Sequence, residues 1–282
     1  MRREDARIGE IAAWVYQPEA PSGTCVVMAH GFSLTRHDGL EPFAEAFADA
    51  GAHVVCFDHR YLGDSGGEPR QRFRTAHQLA DWRSAIDYAR RLPGVDRIVL
   101  WGYSFSGGHC TTLAARDHDL AAVLLLCPFL AGPARVRTSS LSLIAWIPPR
   151  AAADLAGRHN TIPVTGPVGS NGAMTLAREE EGFAVAVGED SPWRNEISPG
   201  LFLTVAFHRP WTKGASITAP VLICEGERDI SVSGKAIRKL ASRAPDATLK
   251  HYDADHFTVF AEPVLGRIIA DQVEFLRSRN LL

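Results

Sequence analysis

Short apolar runs and longer amphipathic stretches alternate along most of the chain. The runs TCVVMAH from Thr24, AHVVCFDH from Ala52, RIVLWGY from Arg97, AAVLLLCP from Ala121 and APVLICEG from Ala219 are continuous and do not alternate with polar residues. Continuous runs of this length mark strands covered on both faces. Between them, LEPFAEAFADAG and AHQLADWRSAIDYARRL carry apolar residues at helical spacing. In the second, Leu79, Trp82 and Ile86 are followed by Ala89 or Arg90. Gly51 and Pro93–Gly94 end the two helices. Strand and helix in alternation make βαβ units with right-handed crossovers, so the chain is predicted to be α/β, with a mostly parallel central sheet and helices on both faces. IAAWVYQ, near the start, reads as an early strand able to pair antiparallel at one edge.

The alternation stops between Phe129 and Ser216. That stretch is rich in Pro, Gly and Arg, with LSLIAWIPPR, HNTIPVTGPVGSNGAM and SPWRNEISPGLFLTVAFHRPW. A structureless loop of that length does not suit a compact domain. Residues 129–216 are therefore expected to form a partly helical cap, inserted into a core of residues 1–128 and 217–282. After it the pattern resumes with strand PVLICEG, a helix from about Val232, strand ATLKHYD and a last helix. One core with an insertion accounts for the 282 residues.

Composition narrows the function classes. Hydrophobic residues make up 46% and charged residues 22%, and 30 Lys and Arg stand against 32 Asp and Glu. Such a balance suggests neither a nucleic-acid partner nor an anionic membrane surface. No apolar run reaches the roughly 18 residues of a membrane span; AAVLLLCPFL is cut by Pro128. MRREDARIGE has charge without an apolar stretch behind it, so no secretory signal is read and a cytoplasmic location is expected. The five cysteines show no pairing pattern. Cys25, Cys56, Cys127 and Cys224 fall in apolar runs and read as reduced packing residues. A nucleophilic cysteine would need partial exposure and an electropositive neighbour.

The candidate chemistry starts at Ser104, in GYSFSG, where strand RIVLW ends and helix SGGHCTTLAAR begins. A nucleophile on a sharp strand-to-helix bend needs small neighbours because the backbone is crowded there. The motif alone also fits a serine capping a helix. A serine hydroxyl needs a base, and the base needs a third group to fix its tautomer. Asp229 follows strand PVLICEG, and His256 follows strand ATLKHYD. Sites in open parallel sheets form at the carboxyl ends of strands, so these three loops are expected to converge. Asp253 and Asp255 are alternative acids, close to His256 in sequence. His251 falls within its strand and reads as a packing or surface residue. RDHDL, from Arg116, has a His between two Asp, but its place between a helix and a strand reads as a solvated turn and not a metal site. GYSFSGG lacks the spacings of a phosphate-binding loop.

The order Ser, acid, His, with Ser104 on its elbow, resembles the α/β-hydrolase superfamily over nearly the whole core. AHGFSLTR after the first buried strand belongs to the same resemblance, which implies an oxyanion hole formed by the backbone N–H groups of Phe32 and Phe105. FDHRYLGDSGGEP is similar to a further family loop through Asp58, Arg60, Gly63, Ser65 and Gly67. There Tyr61 stands where glycine is usual, and in the elbow Ser106 stands at the last glycine. Asp58 and Arg60 are taken as structural supports.

The expected protein is thus a serine hydrolase of the α/β-hydrolase fold, acting on a small-molecule carboxylic ester or thioester with Ser104, Asp229 and His256 as its triad. No cofactor and no metal is implied. Its rivals are a C–C bond hydrolase, an acyltransferase or polyketide-processing enzyme with the same triad, and an inactive binding protein on the same fold. The cap offers Leu143, Trp146, Ile147, Trp193, Phe202, Phe207 and Trp211 for an apolar pocket wall. Trp146 and Trp211 are the substrate-binding candidates.

Overall fold

The computed structural model describes residues 1–138 and 141–282, with the side chains of residues 136–144 outside that description. Eight strands form one sheet: β1 (Arg2–Ile8), β2 (Ile11–Gln17), β3 (Thr24–Ala29), β4 (His53–Phe57), β5 (Arg97–Tyr103), β6 (Leu120–Leu126), β7 (Val221–Gly226) and β8 (Ala247–Tyr252). Their order across the sheet is β1-β2-β4-β3-β5-β6-β7-β8. From β4 to β8 every pairing is parallel, and β2 joins β4 antiparallel. The sheet is not edged by β2, however. The charged N-terminal run forms β1, which pairs antiparallel with β2 and covers it. Its outer residues are exposed and charged, as suits an edge that must not recruit a neighbour.

Each inner strand splits its residues between two cores. Val27 and Val55 face one side with Trp82 and Ile86 of α2 (Thr75–Ala89), Leu113 of α3 (Phe105–Ala114) and Ile237 of α7 (Gly234–Ala241). Val26 and Val54 face the other with Phe43 and Phe47 of α1 (Glu41–Asp49) and Phe275 of α8 (Val264–Ser278). All five cysteines are buried and unpaired. Cys127 lies one residue past β6, not within it, at φ +43°.

Between β6 and β7 the chain forms α4 (Gly132–Thr138), α5 (Leu141–Leu155), α6 (Glu179–Ala186) and three 3-10 stretches within residues 199–216. These elements contribute Ile147, Phe183 and Leu201 to a third apolar cluster, shared with Phe105, Phe129 and Phe257 of the sheet's carboxyl edge. Among the described residues no helix is long and apolar enough to cross a membrane.

Two ion pairs fix the loops at that edge. Asp58, just past β4, pairs with the Arg36 guanidinium and accepts the Arg36 N–H at 2.7 Å. Both side chains are buried. Arg60 donates from Nε to Asp81 of α2 at 2.5 Å. Tyr61 takes the left-handed backbone that glycine usually supplies (φ +74°), held by hydrogen bonds from its N–H to Gly66 O and from Gln71 N–H to its O. Removing one partner of a buried pair leaves the other charge uncompensated. Asp58→Asn should therefore lower stability by about 3–5 kcal/mol in urea unfolding; a loss under about 1 kcal/mol, the scale of a surface pair, would contradict this account of the loop.

Candidate active site

Ser104 sits between β5 and α3 with φ +52° and ψ −116°, a conformation that L residues rarely adopt. Its neighbours have to be small. A Cβ at Gly102 would lie 2.6 Å from the Ser106 carbonyl, and one at Gly31 would lie 2.6 Å from Ser104 Cβ. Ser106, in the slot where glycine is usual, fits because its hydroxyl finds a partner: Oγ donates to His30 O at 2.6 Å. That bond ties the elbow to the loop after β3.

His256 bridges the other two candidates. Its Nδ1–H donates to Asp229 Oδ2 at 2.6 Å, leaving Nε2 to accept from Ser104 Oγ at 3.0 Å. Asp229 is itself oriented, since Oδ1 accepts the N–H groups of Ser231 (2.8 Å) and Val232 (3.1 Å). His256 is held from behind by Tyr103, whose hydroxyl donates to His256 O at 2.7 Å. The other acids are engaged elsewhere. Asp253 pairs with Arg228 at the surface, and Asp255 caps the turn after the histidine by accepting from the N–H groups of Phe257 and Thr258. His251 is exposed and faces Glu225.

The N–H of Phe32 lies in the loop after Gly31, and that of Phe105 is the first of α3. First-turn N–H groups have no acceptor within their helix and face negative charge favourably. The loop of Phe32 is stiffened by His30, which accepts the Gly31 N–H at Nδ1 (2.8 Å) and donates from Nε2 to Asp38 O (2.7 Å). Burial lowers the His30 pKa to about 4, so this ring stays neutral near pH 7. Burial, with the Asp229 carboxylate beside it, raises the Cys127 thiol well above its ordinary value. It stays protonated and is no rival nucleophile.

A partly open pocket, with about 440 Å³ of empty space when the solvent at its mouth is included, lies over Ser104 and His256, walled by Phe32, Phe105, Phe129, Met174, Leu201 and Phe202. Among the described residues, only Phe202 of the set expected from the sequence lines it. Trp211 lies elsewhere, its ring under the Lys239 ammonium (4.4 Å) and Arg243 guanidinium (4.8 Å) and beside a different pocket. Trp146 is covered by the Arg150 guanidinium at 4.0 Å and does not line the Ser104 cavity. Both indole faces carry a cation, a favourable stacking. Trp193 stacks on Phe183, Phe207 is 81% exposed, and the Leu143 side chain lies outside the described residues. Phe129 and Met174 were missed; Phe129 could have been found as the third residue past the strand beside the elbow.

Two groups have metal-ligand composition among the described residues, Cys127–Asp229–His256 and His37–Asp58–Asp64. The first is already joined by the Asp229–His256 bond, and in the second the Arg36 guanidinium bridges both carboxylates. In the RDHDL turn, Asp117 pairs with Arg90 and His118 meets Thr218.

The family model described as serine aminopeptidase, S33, matches residues 20–263. The chain belongs to the α/β-hydrolase family. It is 34% identical to the quorum-quenching protein AidA of Acinetobacter baumannii over 281 residues, 97% of this chain and 92% of the relative. It is 30% identical to the thiohydrolase aneE of Aspergillus aculeatus over 196 residues, 66% and 60% of the two chains. The α/β hydrolase GrgF from a Penicillium species has the same fold, with a TM-score of 0.83, full coverage of both chains and 21% identity.

His30 and His208 should make this hydrolase acid-sensitive. His208, stacked on Phe105 and Phe129, is also lowered by burial to about 4. Unfolded histidines titrate near 6.5, so below that pH the unfolded chain takes up protons the folded one refuses. Their contribution is present above about pH 6.5 and is lost as pH falls toward 4, at about 1.4 kcal/mol per pH unit for each ring. His208→Phe should remove one proton from that slope in urea unfolding at stepped pH. An unchanged slope would contradict it.

Proposed function

We propose that the protein is a serine hydrolase that cleaves a carboxylic ester or thioester of an apolar small molecule through an acyl-enzyme. The observation that carries this reading is His256, hydrogen-bonded to Asp229 at 2.6 Å and to Ser104 at 3.0 Å beneath an apolar cavity. His256 Nε2 takes the Ser104 proton as Oγ attacks the carbonyl carbon, and Asp229 stabilises the imidazolium that forms. The Phe32 and Phe105 N–H groups hold the developing oxyanion; each such donor is worth about 2.7–4 kcal/mol of barrier. His256 then gives its proton to the leaving oxygen or sulfur, and the alcohol or thiol departs. A water attacks the acyl-enzyme, its proton passing to His256 and back to Ser104 as the acid is released. The cavity residues suit the hydrocarbon part of the acyl group, with residues 129–216 acting as its cap. A relative named as a thiohydrolase supports a thioester within this reading.

Ser104→Ala should abolish both ester turnover and labelling by a fluorophosphonate while the circular dichroism spectrum is unchanged. Asp229→Asn should lower kcat by about 10³–10⁴-fold by favouring the wrong tautomer. Retained turnover in Ser104→Ala would end this reading. Labelling without turnover of any ester or thioester would favour the rival chemistries with the same triad.

Met174→Trp fills the cavity from the cap side. It should lower kcat/KM for a p-nitrophenyl octanoate about tenfold or more, some 1.4 kcal/mol, and leave the acetate nearly unaffected. Equal losses on both esters would contradict the cavity as acyl site.

A further inference from the structure

Glu179, the first residue of α6, belongs to the segment inserted between β6 and β7, yet its carboxylate is 1% exposed and fully engaged. Oε1 accepts from Arg135 Nη1 at 2.8 Å and from Ser231 Oγ at 2.7 Å. Oε2 accepts from Arg135 Nη2 at 2.8 Å and from Leu176 N–H at 2.8 Å. Ser231 is the residue whose own N–H donates to Asp229 Oδ1. One residue, through its hydroxyl on one side and its backbone N–H on the other, therefore links a buried glutamate of the insertion to the acid that orients His256.

The same helix reaches the histidine loop. A Cβ at Gly182 would lie 2.1 Å from Phe257 Cδ2, so the helix backbone rests directly on the ring next to His256. Phe183 meets that ring at 5.1 Å, and the Phe257 ring meets the His256 imidazole edge-on at 5.3 Å. Just before the helix, Arg178 pairs with Asp255 at 3.0 Å. A single element of the insertion thus touches both the acid loop and the base loop, which come from separate strands.

We propose that α6 is a positioning element for the triad, with Glu179 holding Asp229 through Ser231 and the Gly182–Phe257 contact seating His256. The inference rests on the reading of Ser104, Asp229 and His256 as the triad. Its physical basis is geometric: a displacement of about 1 Å in a reacting group costs about 10²-fold in rate. Apart from α6, the Asp229–His256 bond is kept aimed by the Ser231 and Val232 N–H groups on Asp229 and by the Tyr103 hydroxyl on His256 O. The bidentate Arg135 pair offsets the charge of Glu179, which would otherwise stand uncompensated in a buried site beside Asp229. Arg135 also lines the Ser104 cavity, so the wall that meets the acyl group is anchored to the clamp that holds the acid.

A substrate-selecting insertion would change KM or chain-length preference; a positioning insertion lowers kcat for every substrate. The test compares Ser231→Ala, Ser231→Thr and Gly182→Ala with the parent on p-nitrophenyl acetate and octanoate, with Ser104→Ala as a parallel control. Ser231→Ala should lower kcat about tenfold on both esters, with KM changed less than about twofold. Ser231→Thr, which restores the hydroxyl, should recover most of that loss. Gly182→Ala should also lower kcat on both esters; a loss of folding in that variant leaves the decision to the Ser231 pair. Full kcat in Ser231→Ala, a loss confined to KM, or no recovery with threonine would overturn the positioning role while Ser104→Ala is inactive. An active Ser104→Ala would instead overturn the triad on which the inference rests.

Discussion

The backbone at Ser104 is the constraint on which the site depends. A non-glycine residue in so sparsely populated a region costs about 1–3 kcal/mol and persists only when its surroundings over-determine it. Here they do. The Ser104 N–H donates to Leu126 O at 2.9 Å, and Ser104 O accepts the Phe129 N–H at 2.7 Å. Leu126 ends β6 and Phe129 follows it in the next loop, so the parallel pairing of β5 with β6 sets the bend. From the other side, Gly31 comes so close that no side chain fits between it and Ser104. The elbow, the loop of Phe32 and the cavity residue Phe129 are consequently one unit, fixed before any substrate arrives.

The insertion completes that unit from above. Phe105 is common ground: it follows Ser104, stacks on Phe129 and His208, and walls the cavity. Leu201 and Met174 of the insertion line the same cavity. Apolar walls lower the local dielectric and so strengthen a hydrogen bond to a developing oxyanion. Selection of the acyl group and stabilisation of charge are therefore expected to come from the same packing.

Much of this was legible in the chain, because continuous apolar runs and the order of Ser104, Asp229 and His256 depend only on local pattern and strand sequence. What escaped has physical causes. Five of the seven residues of β1 are charged, with only Ala6 and Ile8 apolar, so the strand carried little apolar signal. Tyr61 replaces glycine because two backbone hydrogen bonds hold its positive φ. Trp211 and Trp146 were chosen for their size, but Trp211 packs on the core under Lys239 and Arg243, Trp146 lies under Arg150, and neither lines the Ser104 cavity. In the run of three glutamates, Glu180 and Glu181 are exposed while Glu179 is buried, and nothing within the run distinguishes them. Only the fold, by bringing Arg135 and Ser231 to one side of α6, separates the buried carboxylate from its neighbours.

The central claim is a covalent bond between Ser104 and an acyl group. Rapid acid quenching during turnover of an octanoyl ester or thioester, followed by proteolysis and mass spectrometry, tests it directly. The account predicts an octanoyl mass increment on the peptide that contains Ser104, present during turnover and gone once substrate is exhausted. An increment on another residue, or steady turnover that slow deacylation should allow to be trapped but with no acylated Ser104, would contradict it.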